Sequence, residues 1–490
     1  MIARPATTVK PRPGVIDLYR ELGSALFRGW SRAAPLVEGT LILSWFLLRT
    51  VDAGPLGMWL WVVVTTGLAV IAPTSGLVIL AAIAPFNEGF LLTRDMGVKS
   101  LFALLIVGSI GVRVAIGWRG WREWPRPSAS VILAAFLLLS TGAGLAITRL
   151  RFGHDFFNNA WQIWFTGVGT MFLVFLAAVW IARRGDLRPL VVTCIAATVA
   201  SLVSLLDFAA PEALRSSVAG WMVSGPPIGQ RLTGVMRSPT STAALVMLPA
   251  MVLLAAAFVR RGLLLRLGAS LAAIPLLVAA YFTLNRAIYL ALFALAVVMA
   301  WRVRPRYGIG LALVGLAVGL ALLPGYMALR FETVGVRPEP GQVLLATDIQ
   351  RLEAWAASIR MFIDQPVVGH GYRAYREVSP SFGGIVLNAP HNEWLRLFAE
   401  HGLFVGLAGL AFVVATVREL ARVPGWLGAG ILGAFVSFAL AASFNNPFLF
   451  NQVTIPASII AGTGVALAAL ARASPTAEPA ILATEPAAEP

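Results

Sequence analysis

Four histidines occur in this chain of 490 residues, and two of them stand in one short stretch, "APHNEWLRLFAEHG", Ala389 to Gly402. The same stretch carries Asn392, Glu393, Arg396 and Glu400. A neutral imidazole placed beside an attacking hydroxyl can take its proton. Pro390 favours an extended residue before it and a helix start just after it. At that helix start the backbone dipole disfavours an imidazolium, so His391 is expected as a neutral base. Read as a helix, Asn392, Arg396 and Glu400 fall at i, i+4 and i+8 and form one polar stripe. Trp394, Leu395, Leu397 and Phe398 fill the other sides. Gly402, Gly406 and Gly409 predict close approach of a neighbouring helix. A metal set of His391, Glu393, Glu400 and His401 is disfavoured. His391 and Glu393 point to different faces, and no H-x-x-x-H pair exists. A surface helix with a satisfied histidine is the bland alternative.

Arginines form the second group. Arg231 and Arg237 stand in "GQRLTGVMRSPTSTAAL", and Arg286 in "TLNRAIYLAL". Arg351 and Arg360 stand in "DIQRLEAWAASIRMFIDQPVVGHGYRAYRE", where Leu352, Trp355, Ala356, Ile359 and Ile363 space as the apolar stripe of an interfacial helix. A guanidinium is always charged, and its planar fork suits phosphate oxygens. A diphosphate leaving group needs such clamps, because negative charge builds on it as its bond breaks. The bland alternative is an arginine snorkelling to lipid headgroups. Gly369-x-Gly371-x-x-Ala374 has the form of a dinucleotide fingerprint, but neither a strand before it nor a helix opening on it is expected.

The elements that must position these groups follow from composition. The chain is 58% hydrophobic and 12% charged, where soluble domains carry roughly 25% charged residues. Repeated apolar runs of about 20 residues then mean an integral membrane protein, and only helices fit runs of that length. The fold class expected is all-α and polytopic, with about 12–14 transmembrane helices and a large periplasmic loop that itself contains helices. The net charge of +15 would suggest nucleic acid in a soluble protein. Here it reads as cytoplasmic loops facing anionic lipid, with no nucleic-acid partner. Lys10 and Lys99 are the only lysines, and neither sits in a P-loop, so no ATP site is expected. The single cysteine, Cys194, excludes intrachain disulfides and cysteine-based metal sites. No cofactor and no metal are expected.

Arginine clusters at 119–126, 183–188, 260–266, 302–306 and 418–422 all fall on the cytoplasmic side if the N-terminus is cytoplasmic and the spans number roughly 14. The expected organisation is a cytoplasmic tail at 1–33, with no cleaved signal peptide. A transmembrane bundle of about 11 spans follows at 34–327 and includes a periplasmic segment at 208–239. A large periplasmic loop occupies 328–400, C-terminal transmembrane helices 401–472, and a disordered tail 473–490. The candidate residues gather on the outer side. That side has no ATP, so the reaction energy must be stored in the substrate, as it is in a glycan on a lipid diphosphate.

Four pieces of the chain resemble the O-antigen ligase family, which also contains O-antigen polymerases and some protein O-glycosyltransferases. They are "RLTGVMRSPTSTAA", "LNRAIYLAL", "RLEAWAASIRMFIDQPVVGHGYRAY" and "PHNEWLRLFAEHGLFVGL", within about 231–407. The family's His-Asn/Ser, Leu, Glu-x-Gly pattern is met by His391, Asn392, Leu395, Glu400 and Gly402. The next glycine, Gly406, comes one residue later than usual. Asp364, Pro366, Gly369 and Gly371 meet a D-x-P-x-x-G-x-G pattern, and Asn285-Arg286-Ala287 replaces the usual Ser-Arg-Gly.

The resemblance implies a metal-independent glycosyltransferase of the bacterial inner membrane with its site facing the periplasm. It would move a glycan from an undecaprenyl-diphosphate carrier to an acceptor hydroxyl, on lipid A-core or on a growing glycan. By the same resemblance His391 is catalytic, and Arg231, Arg286 and Arg237 bind the diphosphate. Asn392, Arg396, Glu400, Arg351, Arg360 and Tyr372 position substrate or support the loop. The alternative within the family is a repeat-unit polymerase. A polar-lipid transporter is a third reading, but it calls for charged or broken helices at mid-membrane.

Overall fold

The computed structural model describes residues 15–52, 54–86, 91–93, 96–116, 127–217, 220–223, 231–236, 238–257, 262–285, 293–298, 301–302, 313, 346–384, 387 and 389–473. Arg237 and Arg286 lie outside the described residues. So do most of the apolar runs at 286–303 and 307–327, and both chain ends.

Helices dominate, as their apolar runs require. Nine among the described residues are long and apolar enough to cross a membrane. A long helix, Val15–Thr50, precedes them, and its first half lies within the segment expected as a tail. The one strand pairing among the described residues is a short antiparallel ribbon, Leu91–Thr93 with Met96–Gly97. The chain is an all-α multi-pass membrane protein.

Two of the long helices reverse direction inside themselves. Gly153 (φ 81°, ψ −174°) interrupts Ala129–Trp164, and Gly402 (φ 78°, ψ −173°) interrupts Glu393–Leu420. Both lie in a region of backbone space that is almost closed to residues with a Cβ. Around Gly153, Trp164 Nε1 donates to Thr141 Oγ1 at 2.9 Å. In a straight helix those residues would stand about 35 Å apart. The stretch Ala129–Ala182 is therefore two antiparallel segments. Around Gly402, Phe398 packs on Gly406 and Leu397 on Gly409. So Glu393–His401 is a half-helix folded back on the segment that follows it. The neighbour expected for Gly406 and Gly409 is the chain's own preceding turn.

Arg113, Arg183, Arg188 and Arg302 lie together at one end of the bundle. Arg113 donates to the carbonyls of Val70 and Ile71. Arg302 donates to those of Leu420 and Val423. Arg188 pairs with Glu38 and Asp186, and Arg183 lies near Glu419 and Arg472. The two glycine reversals, the 365–401 segment and the 443–450 turn lie at the other end. Between the ends, Phe172, Phe175, Phe412 and Phe435 interlock edge to face. Helix Asn451–Ala473 runs through the middle, buried from Val453 to Ala468.

Helix Ala346–Asp364 lies over the site end. Ala354, Ala357, Ser358 and Met361 face the protein, whereas Leu352, Ile359 and Ile363 are exposed. That is the two-faced pattern of a helix resting at a membrane surface. Trp355 and Ala356, expected on the apolar stripe, turn partly inward. Trp355 meets Phe444 with ring centroids 6.2 Å apart.

Candidate active site

His391 stands two residues before the half-helix, in the left-handed region at φ 56°. A non-glycine residue there costs about 1–3 kcal/mol and persists only where its surroundings enforce it. Asn392 is one such constraint. Its side-chain oxygen accepts from the amides of Trp394 and Leu395, both at 3.1 Å, and so caps the half-helix. The half-buried His391 ring turns Nδ1 toward the Asn446 amide, 3.3 Å away. Burial pushes the imidazole down to about 4, and the nearby Arg351 guanidinium pushes it the same way. The sequence reading credited the helix dipole with this; burial is the larger cause and Arg351 the second. His391 is therefore neutral at pH 7.

His370 and His401 are committed elsewhere. His370 Nε2 faces the Met361 carbonyl at 3.0 Å, and Nδ1 faces Arg151 Nη1 at 3.2 Å. A guanidinium only donates, so Nδ1 accepts and Nε2 carries the proton. His401 is buried against Gly144 and the Tyr372 ring. His154 is exposed at the tip of the Gly153 reversal.

A buried charge cluster fixes the half-helix. Arg396 Nε donates to Glu393 Oε2 at 2.6 Å, and Arg396 Nη1 lies 3.8 Å from Glu400 Oε2. All three residues are at most 2% exposed. Buried charges are tolerated only when paired and hydrogen-bonded, and here the bonds run outward to two loops. Glu393 Oε1 accepts from the Phe448 amide at 3.1 Å, and Trp394 Nε1 donates to Ser443 Oγ at 3.0 Å. These two bonds pin the 443–450 turn beneath His391. On the other side Glu400 Oε1 accepts from the Tyr375 amide at 3.3 Å. The Glu400 and Ala399 carbonyls accept from the amides of Gly371 and His370, at 2.9 and 3.1 Å. Tyr372 lies under the Arg396 guanidinium, 5.5 Å from it, and burial pushes its phenol up to about 12. Gly369 and Gly371 thus serve loop closure, not a phosphate cradle.

Arg231 belongs to a second group. Its Nε donates to the Thr283 carbonyl at 3.1 Å, and the Leu232 amide donates to the Phe282 carbonyl at 3.0 Å. Leu284 follows in the left-handed region at φ 50°. Arg231 therefore sits against the turn that ends at Asn285, the residue before Arg286. Arg360 goes elsewhere: it is exposed and donates to the Phe382 carbonyl at 2.7 Å. The structure thus sets His391 in the field of Arg351, groups Arg396, Glu400 and Tyr372 in the half-helix cluster, and leaves Arg360 on the loop surface.

Two site residues escaped the sequence reading. Asn446 lies 55 positions from His391, in "FNNPF". The one available signal was a pair of amides in an apolar turn. Glu393 was weighed only as a metal ligand, and its spacing of three from Arg396 was the cue to an ion pair.

Residues 271–411 match the family model described as O-Antigen ligase. The resemblance read in the sequence is thereby borne out over that range. The match takes in Arg351, the 365–401 segment and His391, whereas Arg231 and Arg237 precede it. No curated protein matches the chain.

Proposed function

From the match to a family of glycosyl-transfer enzymes that use lipid-linked glycans, we propose that this chain moves a glycan from an undecaprenyl-diphosphate carrier to an acceptor hydroxyl on the periplasmic side of the inner membrane. The observation that carries the reading is His391. It is a neutral imidazole in an enforced backbone conformation, beside Arg351 and at the end of the bundle away from the arginine clusters. In the proposed step His391 takes the acceptor's hydroxyl proton. The acceptor oxygen bonds to the anomeric carbon of the glycan as the bond from that carbon to the diphosphate breaks. The electron pair leaves with undecaprenyl diphosphate. Arg231 and Arg286 are assigned to the charge that builds on the leaving group, with Arg237 a further candidate. Arg351, whose charge acts on His391, is assigned to the donor or the sugars. Asn392, Arg396, Glu400 and Tyr372 hold the loop, and Arg360 braces its surface.

Purified protein supplied with a lipid-diphosphate glycan and an acceptor tests the reading. Release of undecaprenyl diphosphate in step with product, without ATP, supports it. Transfer that needs a nucleotide sugar, or transport of intact donor without bond cleavage, would overturn it.

A further inference from the structure

The two ring nitrogens of His391 are not equivalent. Nδ1 lies 3.3 Å from the Asn446 amide, and no hydrogen bond among the described residues engages Nε2. A neutral imidazole has one donor and one acceptor nitrogen, and the partner of one fixes the role of the other. With Asn446 Nδ2 toward the ring, Nδ1 accepts, Nε2 carries the proton, and the ring can only donate to a substrate. In that orientation Asn446 Oδ1 is buried without a partner. Half a turn of the carboxamide exchanges the two atoms, moving Nδ2 to the partnerless position and setting Oδ1 against Nδ1, and the proton then resides on Nδ1.

We infer that Asn446 is a positioning residue for His391: its amide oxygen holds the proton on Nδ1 and leaves the Nε2 lone pair for the acceptor hydroxyl. The inference rests on the reading of His391 as the base. The fold supplies the precision that this requires. The Glu393–Phe448 and Trp394–Ser443 bonds fix the turn from the half-helix side. The Phe448 carbonyl, closely packed against Gly167, fixes it from the bundle side. His391 meets it in a strained conformation that only a firm surrounding maintains. An amide also suits the electrostatics. A carboxylate would select the same tautomer but would favour the charged ring, whereas a neutral amide leaves the base uncharged. As the proton arrives on Nε2, Nδ1–H continues to donate to Oδ1 and the ring does not swing.

The test uses the full-length protein with lipid-diphosphate donor and acceptor. Asn446→Ala should lower kcat by about 10–100-fold, the usual loss on removing an orienting partner, with the donor KM unchanged. Asn446→Asp should recover much of that rate and move the acidic limb of kcat/KM to higher pH. His391→Ala is run alongside. If His391→Ala is inactive while Asn446→Ala turns over like wild type, the inference is overturned and the base assignment stands. An Asp variant as impaired as Ala, with an unmoved limb, also overturns it. If His391→Ala transfers normally, both fail. Should Asn446→Ala misfold, ¹⁵N spectra of histidine-labelled wild type decide: a His391 signal with the proton on Nδ1 supports the inference, and one on Nε2 refutes it.

Discussion

At the scale of single residues, the proposed role of His391 sets availability of a base against its strength. Burial and Arg351 hold His391 neutral, at the cost of proton affinity, down to about pH 4. The acidic limb of kcat/KM, which reports the free enzyme's base, should therefore fall near pH 4 and not near 6.5. Arg351→Ala removes a cation that disfavours the imidazolium, so the limb should move upward. A wild-type limb at the ordinary histidine position would contradict the assignment. Arg396 makes a different prediction. Arg396→Ala leaves Glu393 and Glu400 buried without their counter-ion, which should cost about 3–5 kcal/mol. A large drop in thermal midpoint in detergent would register that loss, and an unchanged midpoint would mean the cluster carries no such strain. Of these residues, the place of His391 just before a helix was legible from Pro390 and the pattern behind it. Asn392 was read as part of a stripe, and the structure makes it a cap. Asn446 was not legible, because what brings it to His391 is a pair of bonds between loops far apart in sequence.

At the scale of elements, two glycines with nearly the same backbone angles make opposite predictions. A Cβ at Gly153 meets nothing within 4 Å, so Gly153→Ala carries only backbone strain, about 1–3 kcal/mol. A Cβ at Gly402 would overlap the Val367 carbonyl oxygen, in the segment that the half-helix holds. Gly402→Ala should therefore lose activity as well as stability, and Gly153→Ala should stay active. Comparable turnover in both variants would show that the Gly402 reversal does not matter to the site. The sequence showed helices and small residues at 402–409. Helical periodicity says which face is apolar, but it is unchanged when the chain doubles back, so the reversal itself could not be read. Helix Ala346–Asp364 was legible from the spacing of its apolar residues, of which Leu352, Ile359 and Ile363 are exposed whereas Trp355 and Ala356 turn partly inward.

At the scale of the molecule, the arginine pattern carries the expected orientation. Clusters separated by even numbers of apolar runs can share one side of a membrane, and the structure gathers Arg113, Arg183, Arg188 and Arg302 at one end of the bundle. The site residues stand at the other end. In a variant with Cys194→Ala, a membrane-impermeant thiol reagent added from the periplasmic side should label Ser381→Cys and spare Arg422→Cys. The reverse pattern would place the site on the cytoplasmic side and remove the reason for a self-energised donor. The resemblance was legible from motifs in and beside the matched range, where the spacing of polar residues and glycines stands out from spans that need only be apolar. The most direct measurement is transfer by purified His391→Ala with the lipid-diphosphate donor supplied. We predict donor binding like that of wild type and no glycan on the acceptor; normal transfer by that variant would contradict the account.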